Sequence, residues 1–278
     1  MAEMPKDWNN HKGWENYYAS LYPNGDFADK CFWTGSISLD RVESLAKELN
    51  QNNRKTIWIS GCGISLLPKA LAQRGLKVYA TDISPSAIAF QNSKEKRIQD
   101  LLDKQILLEI NDSGSLISEI QDFRSPYKDN FFDLIINTKS FQGFDKPTMA
   151  SVAKTHFDSL KPSCNAIFDT MNVQGENREN FEESLVSAGF LIPFYELNCW
   201  YRKKLNETGI PYVFVLGNPF IPRFGFYADN EELVEKDTKV LREIAAEFHQ
   251  KQQESIEQER EKLQSPKAKI ATIIYSTG

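Results

Sequence analysis

The stretch that decides the fold is residues 56–90, TIWISGCGISLLPKALAQRGLKVYATDISPSAIAF. It contains two apolar runs rich in β-branched and aromatic residues, at residues 56–60 and 77–80, which are typical of buried strands. Between the runs, residues 61–63 form a tight glycine turn, and residues 66–74 have the apolar spacing of a helix. A strand, a helix and a strand of this length predict a right-handed βαβ unit.

The second run ends in an acidic turn. Thr81-Asp82 closes the strand, and Pro85 stands near the start of the next helix, where a missing N–H does no harm. Ligands of open α/β sheets bind at the carboxyl ends of the strands. Asp82 and the glycine turn are therefore predicted to lie at one nucleotide-binding edge.

The composition bounds the size of the fold and the kind of partner. The chain has 278 residues, 41% of them hydrophobic and 12% aromatic, which is enough for one large core with extensions. The formal net charge of −5 argues against a nucleic-acid partner. The N-terminus has no signal-peptide pattern, and no segment approaches the ~20 apolar residues of a membrane span. We therefore expect a soluble, cytoplasmic protein with no membrane partner.

The four cysteines are Cys31, Cys62, Cys164 and Cys199. They lie far apart and form no CxxC pair, so neither a zinc site nor a disulfide framework is indicated. We expect reduced cysteines and no metal.

We divide the chain into three regions: an N-terminal helical and aromatic cap at residues 1–50, an α/β core at 51–218, and a C-terminal region at 219–278. The C-terminal region contains an aromatic loop and a long helix with an almost wholly polar second half, either a homodimer element or a solvated buttress. Its final apolar run, residues 269–275, is predicted to pair at a sheet edge of this or another subunit.

Further strands and a terminal hairpin complete the predicted core. The predicted elements after residue 90 are a strand at 105–110, a short helix at 116–123, strands at 131–137 and 164–171, helices at 145–160 and 177–188, an antiparallel pair of strands at 191–203 and 211–216, and a loop at 218–229. These elements predict an α/β fold with a doubly wound, mostly parallel seven-stranded sheet and an antiparallel terminal hairpin.

This order of elements resembles the class I S-adenosylmethionine-dependent methyltransferases, over roughly residues 50–218. In that family the first strand ends in acidic-x-Gly-x-Gly-x-Gly. The matching positions here are Ile59, Gly61, Gly63 and Ser65. Two of the three glycines are kept, whereas the acid and the third glycine are replaced.

The resemblance implies roles for residues at the carboxyl ends of several strands. Asp82 matches the acid that holds the ribose hydroxyls, Asp112 the position near the adenine amino group, and residues 137–139 the segment beside the methionine part. Glycines also let the backbone approach a ligand closely. The implied cofactor site comprises Ser60, Gly61, Cys62, Gly63, Ser65, Asp82, Ile83, Asp112, Ser113, Asn137, Thr138 and Lys139.

Ile59 cannot replace the family's acid, which interacts with the amino group of the methionine part. A backbone carbonyl or another acid substitutes, or the cofactor binds weakly or not at all. The rival fold, an NAD(P)-dependent oxidoreductase, needs a glycine where Leu66 stands, although Asp82 fits its acid too. A Walker loop is excluded because no GK[ST] is present.

Methyl transfer from a sulfonium is an in-line displacement, so positioning carries much of the rate and no catalytic signature is required. Of the three histidines, His11 is the best, though weak, candidate for a general base. His156 is interpreted as structural and His249 as solvated.

The acceptor is predicted to be a small, partly apolar or aromatic molecule, because ligand pockets are mostly apolar and aromatic residues are in surplus here. A protein acceptor and a catalytically silent scaffold are the alternatives. The candidate pocket residues are Trp14, Tyr18, Trp33, Phe141, Trp200 and Phe224.

Overall fold

The computed structural model describes residues 9–21, 39–92, 114–138, 140–141, 143–171, 176–193, 195–207, 213–215, 223–225 and 231–276. The helices are α1 (His11–Leu21), α2 (Leu39–Gln51), α3 (Leu67–Ala72), α4 (Pro85–Asn92), α5 (Lys146–Ser159), α6 (Glu176–Ala188), α7 (Tyr195–Glu207) and α8 (Glu231–Leu263). The strands are β1 (Thr56–Ser60), β2 (Lys77–Asp82), β3 (Ser115–Ile120), β4 (Phe132–Thr138), β5 (Leu160–Met171), β6 (Val213–Val215), β7 (Arg223–Gly225) and β8 (Lys269–Ser276).

Six strands form one sheet in the order β3-β2-β1-β4-β5-β8. Every neighbouring pair in it is parallel. The prediction of an α/β fold with a mostly parallel sheet is confirmed. The order reverses direction between β1 and β4, which is the point where open sheets of this kind bind ligands.

Apolar side chains cover both faces of the sheet. On β1, Ile57 and Ile59 belong to one apolar cluster and Trp58 to another, as the alternation of side chains along a strand requires. The first cluster, called here the first core, is completed by α2, α3 and α4, and the second core by α5 and α6. Burial on both faces explains why β1 and β4 read as continuous apolar runs.

The predicted helix at residues 116–123 is wrong. Those residues contribute to β3, which pairs in parallel with β2 from Lys77↔Ser115 to Asp82↔Ile120. Local spacing suggested a helix, but pairing with β2 satisfies the backbone donors and acceptors along the strand. The predicted strand at residues 105–110 lies outside the described residues.

The predicted terminal hairpin is also wrong, and the count of seven strands is not confirmed, since the described residues form a sheet of six. Most of residues 191–203 belongs to α7, which begins two residues after Pro193. Glu196 lies in its first turn and Lys204 in its last, which suits the helix dipole. Within the described part of the chain, β6 pairs instead with β7 in a separate antiparallel two-stranded sheet. The residues of β7 had been predicted as a loop.

The sixth strand of the sheet comes from the C-terminal region. β8 runs parallel to β5 from Cys164↔Lys269 to Met171↔Ser276, so the predicted pairing of residues 269–275 at a sheet edge is confirmed within this chain. A parallel neighbour needs a long crossover, and α6, α7 and α8 supply it. Over the described residues, no helix has the length and apolar character needed to span a membrane.

Gly114 provides a test of the fold. A Cβ at this position would overlap the carbonyl oxygen of Ala72 and lie 3.2 Å from the Cα of Gly75. Because both neighbours are backbone atoms, they cannot turn away as a side chain would. We expect Gly114→Ala to lower the free energy of unfolding by about 1–3 kcal/mol. Urea denaturation measures this, with Ser115→Ala as the neighbouring control. Equal stability of Gly114→Ala and the wild type would contradict the close packing of β3 against α3.

Candidate functional site

The glycine turn between β1 and α3 has a backbone that favours glycine. Gly61 has φ 63° and Gly63 has φ 48°, both in the left-handed region. The amide of Cys62 donates to the Thr81 carbonyl over 2.9 Å, which ties the turn to β2. The thiol of Cys62 is buried, and burial raises its pKa well above its usual value. It is therefore a neutral packing group.

The carboxylate of Asp82 joins the glycine turn to the end of β2. Its Oδ2 accepts from the Gly63 amide over 2.8 Å and its Oδ1 from the Ser84 amide over 2.9 Å. Asp82 is 5% exposed. Burial raises its pKa from 3.8 to about 6, against the opposing effect of the amide hydrogen bonds. At neutral pH this edge therefore holds a buried carboxylate.

Gln91 of α4 fixes the other side of the turn. Its Nε2 donates to the carbonyls of Gly63, over 3.0 Å, and Ser65, over 2.8 Å. Lys69 donates to the Gln91 carbonyl, and burial lowers the pKa of this ammonium to about 8. Sequence reasoning missed Gln91, since an amide in a helix gives no signal of the carbonyls it will reach.

A buried polar network lies behind the turn, on the second-core face. The Ser60 hydroxyl donates to Nε2 of His156 over 2.7 Å and accepts from Nδ2 of Asn137 over 2.8 Å. Nδ1–H of His156 donates to the Val152 carbonyl over 2.8 Å, which fixes the tautomer. We call these groups the Ser60 network. It joins the carboxyl ends of β1 and β4 to α5.

His156 is a neutral structural group, in line with its interpretation from the sequence. Its ring is fully buried and stacks on Trp58 with centroids 4.7 Å apart. Burial lowers its pKa from 6.5 to about 4. The side chain of Asn137 is turned into the Ser60 network and is 1% exposed. It therefore fixes the strand ends through Ser60.

The helix α1 lies across the glycine turn. A Cβ on Gly63 would lie 2.7 Å from the hydroxyl oxygen of Tyr18. Burial and then the charge of Asp82 raise the pKa of the Tyr18 hydroxyl. Trp14 stacks on Tyr18 with centroids 5.9 Å apart. The structure thus places two predicted pocket aromatics, Trp14 and Tyr18, above the predicted cofactor turn.

One carboxylate fastens α1 to the start of α4. Glu15 accepts from the Ser84 hydroxyl, from the Ser86 hydroxyl over 2.6 Å and from the Ser86 amide over 3.1 Å. Sequence reasoning missed Glu15, because its partners lie 69 and 71 residues away along the chain.

His11, the candidate base, lies at the start of α1. Its Nε2 accepts from Arg124, which also pairs with Asp122 at 2.6 Å. Seven residues of helix, about 10 Å, separate His11 from Tyr18. The structure thus places His11 against the connection between β3 and β4, and its catalytic role stays a prediction.

The remaining residues that were predicted to line the pocket or the cofactor site lie in different parts of the structure. Phe141 is 1% exposed and packs on Phe181 of α6 at 4.8 Å, so it is a core residue. Trp200 of α7 lies under Lys251 of α8, whose ammonium is 5.1 Å from its ring centroid. Ser140 lies against Gly61, where a Cβ would overlap its hydroxyl. Trp33, Asp112, Ser113, Lys139 and the side chains of Thr138 and Phe224 lie outside what the structure describes.

Two further observations concern metals and cysteines. Across the described ranges, no group of three or more His, Cys, Asp or Glu side chains is arranged to hold a metal ion. Among the described residues, Cys62, Cys164 and Cys199 take part in no disulfide.

The segment that contains the glycine turn matches a known protein family. Residues 59–168 match the model of the methyltransferase domain family. This part of the chain is similar to that family. The match confirms the predicted resemblance to the S-adenosylmethionine-dependent methyltransferases, and with it the predicted cofactor. No curated protein matches the chain.

Several solved structures show a distant likeness to this chain. Magnesium protoporphyrin IX methyltransferase from Synechocystis PCC 6803, solved with S-adenosylmethionine bound, is 16% identical over 69% of this chain and 89% of that chain, with a TM-score of 0.45. A TehB-like S-adenosylmethionine-dependent methyltransferase from Corynebacterium glutamicum is 17% identical over 65% and 84%, with a TM-score of 0.43. One from Methanosarcina mazei is 20% identical over 41% and 52%, with a TM-score of 0.31. The chain spans about half the length of two of its structural neighbours, 46% and 52%.

The stability of the folded chain should depend on the protonation of Asp82. Folding raises the pKa of Asp82 from 3.8 to about 6, so the folded state binds more protons in this range. Stability that is present below pH 4 is therefore lost as the pH rises through 6, by about 3 kcal/mol. We expect the stability of the wild type relative to Asp82→Ala to fall by this amount between pH 4 and pH 7. Urea denaturation across that range checks it, and a difference that stays flat or rises with pH would contradict the burial of this carboxylate.

His156 should titrate with the opposite sign. Its pKa is lowered from 6.5 to about 4, so the folded state resists protonation. Stability that is present above pH 6.5 is lost as the pH falls through 4, by about 3 kcal/mol. The side chain in His156→Gln cannot be protonated in this range. The free energy of unfolding of the wild type, relative to that of His156→Gln, should therefore fall as the pH is lowered. The comparison uses urea midpoints at pH 4, 5, 6 and 7. If the two proteins keep a constant gap, His156 is not held neutral.

Proposed function

We propose that this chain transfers a methyl group from S-adenosylmethionine to a small, partly apolar or aromatic acceptor, and that the carboxyl edge of β1, β2 and β4 forms the site. The observation that carries the proposal is the hydrogen bond between the Gly63 amide and the buried carboxylate of Asp82. It places a left-handed glycine turn and a carboxylate together at the point where open α/β sheets bind nucleotides.

The residues present fit the nucleoside part of the cofactor. Each oxygen of Asp82 accepts one backbone amide, and an ionised carboxylate has about four acceptor positions, so both oxygens can also accept a ribose hydroxyl. New donors would stabilise a charge that burial disfavours. Gly61 and Gly63 carry no Cβ, so a ligand can approach the backbone of the turn closely once the side chains of Ser140 and Tyr18, which now lie against these glycines, move aside.

The methionine part would lie along β1 and β4. The Ser60 network fixes these two strand ends, since Asn137 also donates to the Ser60 carbonyl over 3.3 Å. The backbone of Thr138 and Lys139 and the predicted positions Asp112 and Ser113 remain part of the proposed site. When bound, S-adenosylmethionine supplies a methyl group that is already activated by its attachment to a sulfonium.

The contribution of the chain is then to orient the two reactants and to exclude water. α1 covers the edge with Trp14 and Tyr18 and is fastened by Glu15 to the start of α4. Because Tyr18 lies against Gly63, access of a ligand requires this side chain to move. An aromatic cover favours a flat or apolar acceptor, since pockets for small molecules are lined mostly by such side chains.

Ligand-induced stabilisation tests the proposal. S-adenosylhomocysteine should raise the melting temperature of the full chain, by the equivalent of about 2.7 kcal/mol at 100 times its Kd. NAD and NADP should not. Asp82→Ala should abolish the shift, because it removes the acceptor of the ribose hydroxyls and releases the glycine turn. Asp158→Ala removes a carboxylate from the surface of α5 and should retain the shift.

The competing functions give different results. A shift with NADP and none with S-adenosylhomocysteine would support an oxidoreductase. No shift with any of these ligands would overturn the proposed activity and favour a scaffold that kept the methyltransferase fold.

A further inference from the structure

The amino ends of the strands carry a row of basic residues. The strands of the large sheet are all parallel, so their amino ends lie together at the edge opposite the proposed site. Adjacent strands are about 4.8 Å apart, so the edge from β2 to β8 extends for about 19 Å. The basic residues at or near the starts of β1, β2, β4, β5 and β8 are Arg54, Lys55, Lys77, Lys128, Lys161, Lys267 and Lys269. We call them the basic row.

Contacts between the strand starts join the basic row into one surface. The Lys77 amide donates to the Lys55 carbonyl over 2.8 Å, which ties the start of β2 to that of β1. The Arg54 guanidinium donates to the Ser163 carbonyl of β5 over 2.7 Å. The Ser163 amide donates to the Ala268 carbonyl, beside β8, over 2.7 Å. The row is therefore continuous from β2 to β8.

Most of the basic row is accessible to solvent. Lys161 pairs with Asp133 at 2.7 Å, and its side chain is still 40% exposed. Lys269 is buried and does not contribute to the surface. Several lysines of the row are exposed and form no ion pair within the described residues: Lys55, Lys77, Lys128 and Lys267.

The acidic residues near the strand starts do not cancel this charge. Asp133 is matched by Lys161 and Asp158 by Lys154 of α5. Asp129 is exposed beside Lys128. The described part of this edge is therefore positive, although the chain as a whole carries a formal net charge of −5. A net charge averages over the chain and does not describe one surface, so the argument against a nucleic-acid partner does not apply to this edge.

The composition of the edge favours a phosphate chain as its partner. Surfaces that bind membranes combine cations with apolar side chains that enter the lipid. The large apolar side chains that are exposed in the described chain lie instead on β3, α6 and α8: Ile120, Val186 and Ile256. Lysine binds phosphate as a point charge, whereas carboxylates are best matched by the fork of arginine. A row composed mainly of lysines therefore favours phosphates over the carboxylates of an acidic protein.

The aromatic side chains near the basic row already face a cation. The Lys128 ammonium lies 5.2, 5.3 and 5.6 Å from the ring centroids of Tyr79, Tyr127 and Phe131. Single-stranded nucleic acids bind by stacking their bases on such rings, whereas a duplex presents a regular line of phosphates.

We propose that the basic row binds the phosphate backbone of duplex nucleic acid without reading its sequence. Contacts to phosphates fix the position of a protein on a duplex and carry no sequence information. This binding surface lies at the opposite edge of the sheet from the proposed methyl-transfer site, and the two proposals do not depend on each other.

Fluorescence anisotropy of a short labelled DNA duplex, titrated with the full chain, tests the proposal. We expect a Kd of about 10⁻⁴–10⁻⁶ M near physiological salt. Binding should tighten steeply as the salt is lowered. The slope of log K against log salt should be about −3 to −4, since each exposed lysine that contacts a phosphate contributes about −0.9.

Charge-reversal variants locate the binding surface. Lys55→Glu combined with Lys267→Glu should weaken binding about tenfold or more and reduce the magnitude of the slope by about 2. Lys12→Glu combined with Lys146→Glu changes the net charge equally, at exposed positions in α1 and at the start of α5, and should leave Kd within about twofold. Lys55→Ala combined with Lys267→Ala should also weaken binding about tenfold, and replaces the first variant if that one does not fold.

The other partners are outcomes of the same experiment. Absence of wild-type binding to the duplex at low salt overturns the proposal, and so does an equal loss in the row variants and the control variant. Binding to phosphatidylserine vesicles or to poly-glutamate, with none to the duplex, would assign the basic row to a lipid surface or an acidic protein and overturn the proposal as well.

Discussion

The hydrogen bond from the Gly63 amide to the Asp82 carboxylate is the constraint on which the rest of this structure depends. It holds the glycine turn of β1 against the end of β2 and fixes where a ligand can approach the backbone. The surrounding contacts then follow in layers. Gln91 fixes the turn from α4, the Ser60 network fixes it from β4 and α5, and α1 covers it. Each layer restricts the same few residues, which is the preorganisation that a reaction driven by positioning requires.

The same constraint carries a cost in stability. A carboxylate buried at this edge is disfavoured when it is ionised, and folding alone does not require a charge there. A ligand with two hydroxyl donors would offset that cost. We therefore interpret Asp82 as a residue retained for binding rather than for stability, in keeping with the tendency of strained or destabilising groups to lie at functional sites.

The spacing of residue types along the sequence predicted the features that depend only on residues close together in the chain. The turn at Gly61 and Gly63, the acid at Asp82 and the alternating strands and helices all follow from spacing within one βαβ unit. The groups that sequence reasoning missed reach partners far along the chain: Glu15 contacts Ser86 over 71 residues and Gln91 contacts Gly63 over 28. His156 was assigned a structural role, but its partner Ser60, 96 residues away, was not foreseen.

Two of the errors in secondary structure have related causes. Residues 116–120 form a strand rather than the predicted helix because they pair with β2. Residues 195–203 form a helix, although their apolar side chains suggested an edge strand. The edge position was taken instead by β8, more than fifty residues later in the chain. Local propensity predicts edge strands less well than other elements. The backbone hydrogen bonds of an edge strand depend on which neighbouring strand is available to pair with it.

A crystal structure of the full chain grown with S-adenosylhomocysteine tests the central claim most directly. The account predicts the ligand at the carboxyl edge of the sheet, with its ribose hydroxyl oxygens about 2.6 Å from the carboxylate oxygens of Asp82 and Tyr18 displaced from Gly63. A ligand bound elsewhere, or a glycine turn still covered by Tyr18 at saturating ligand, would contradict it.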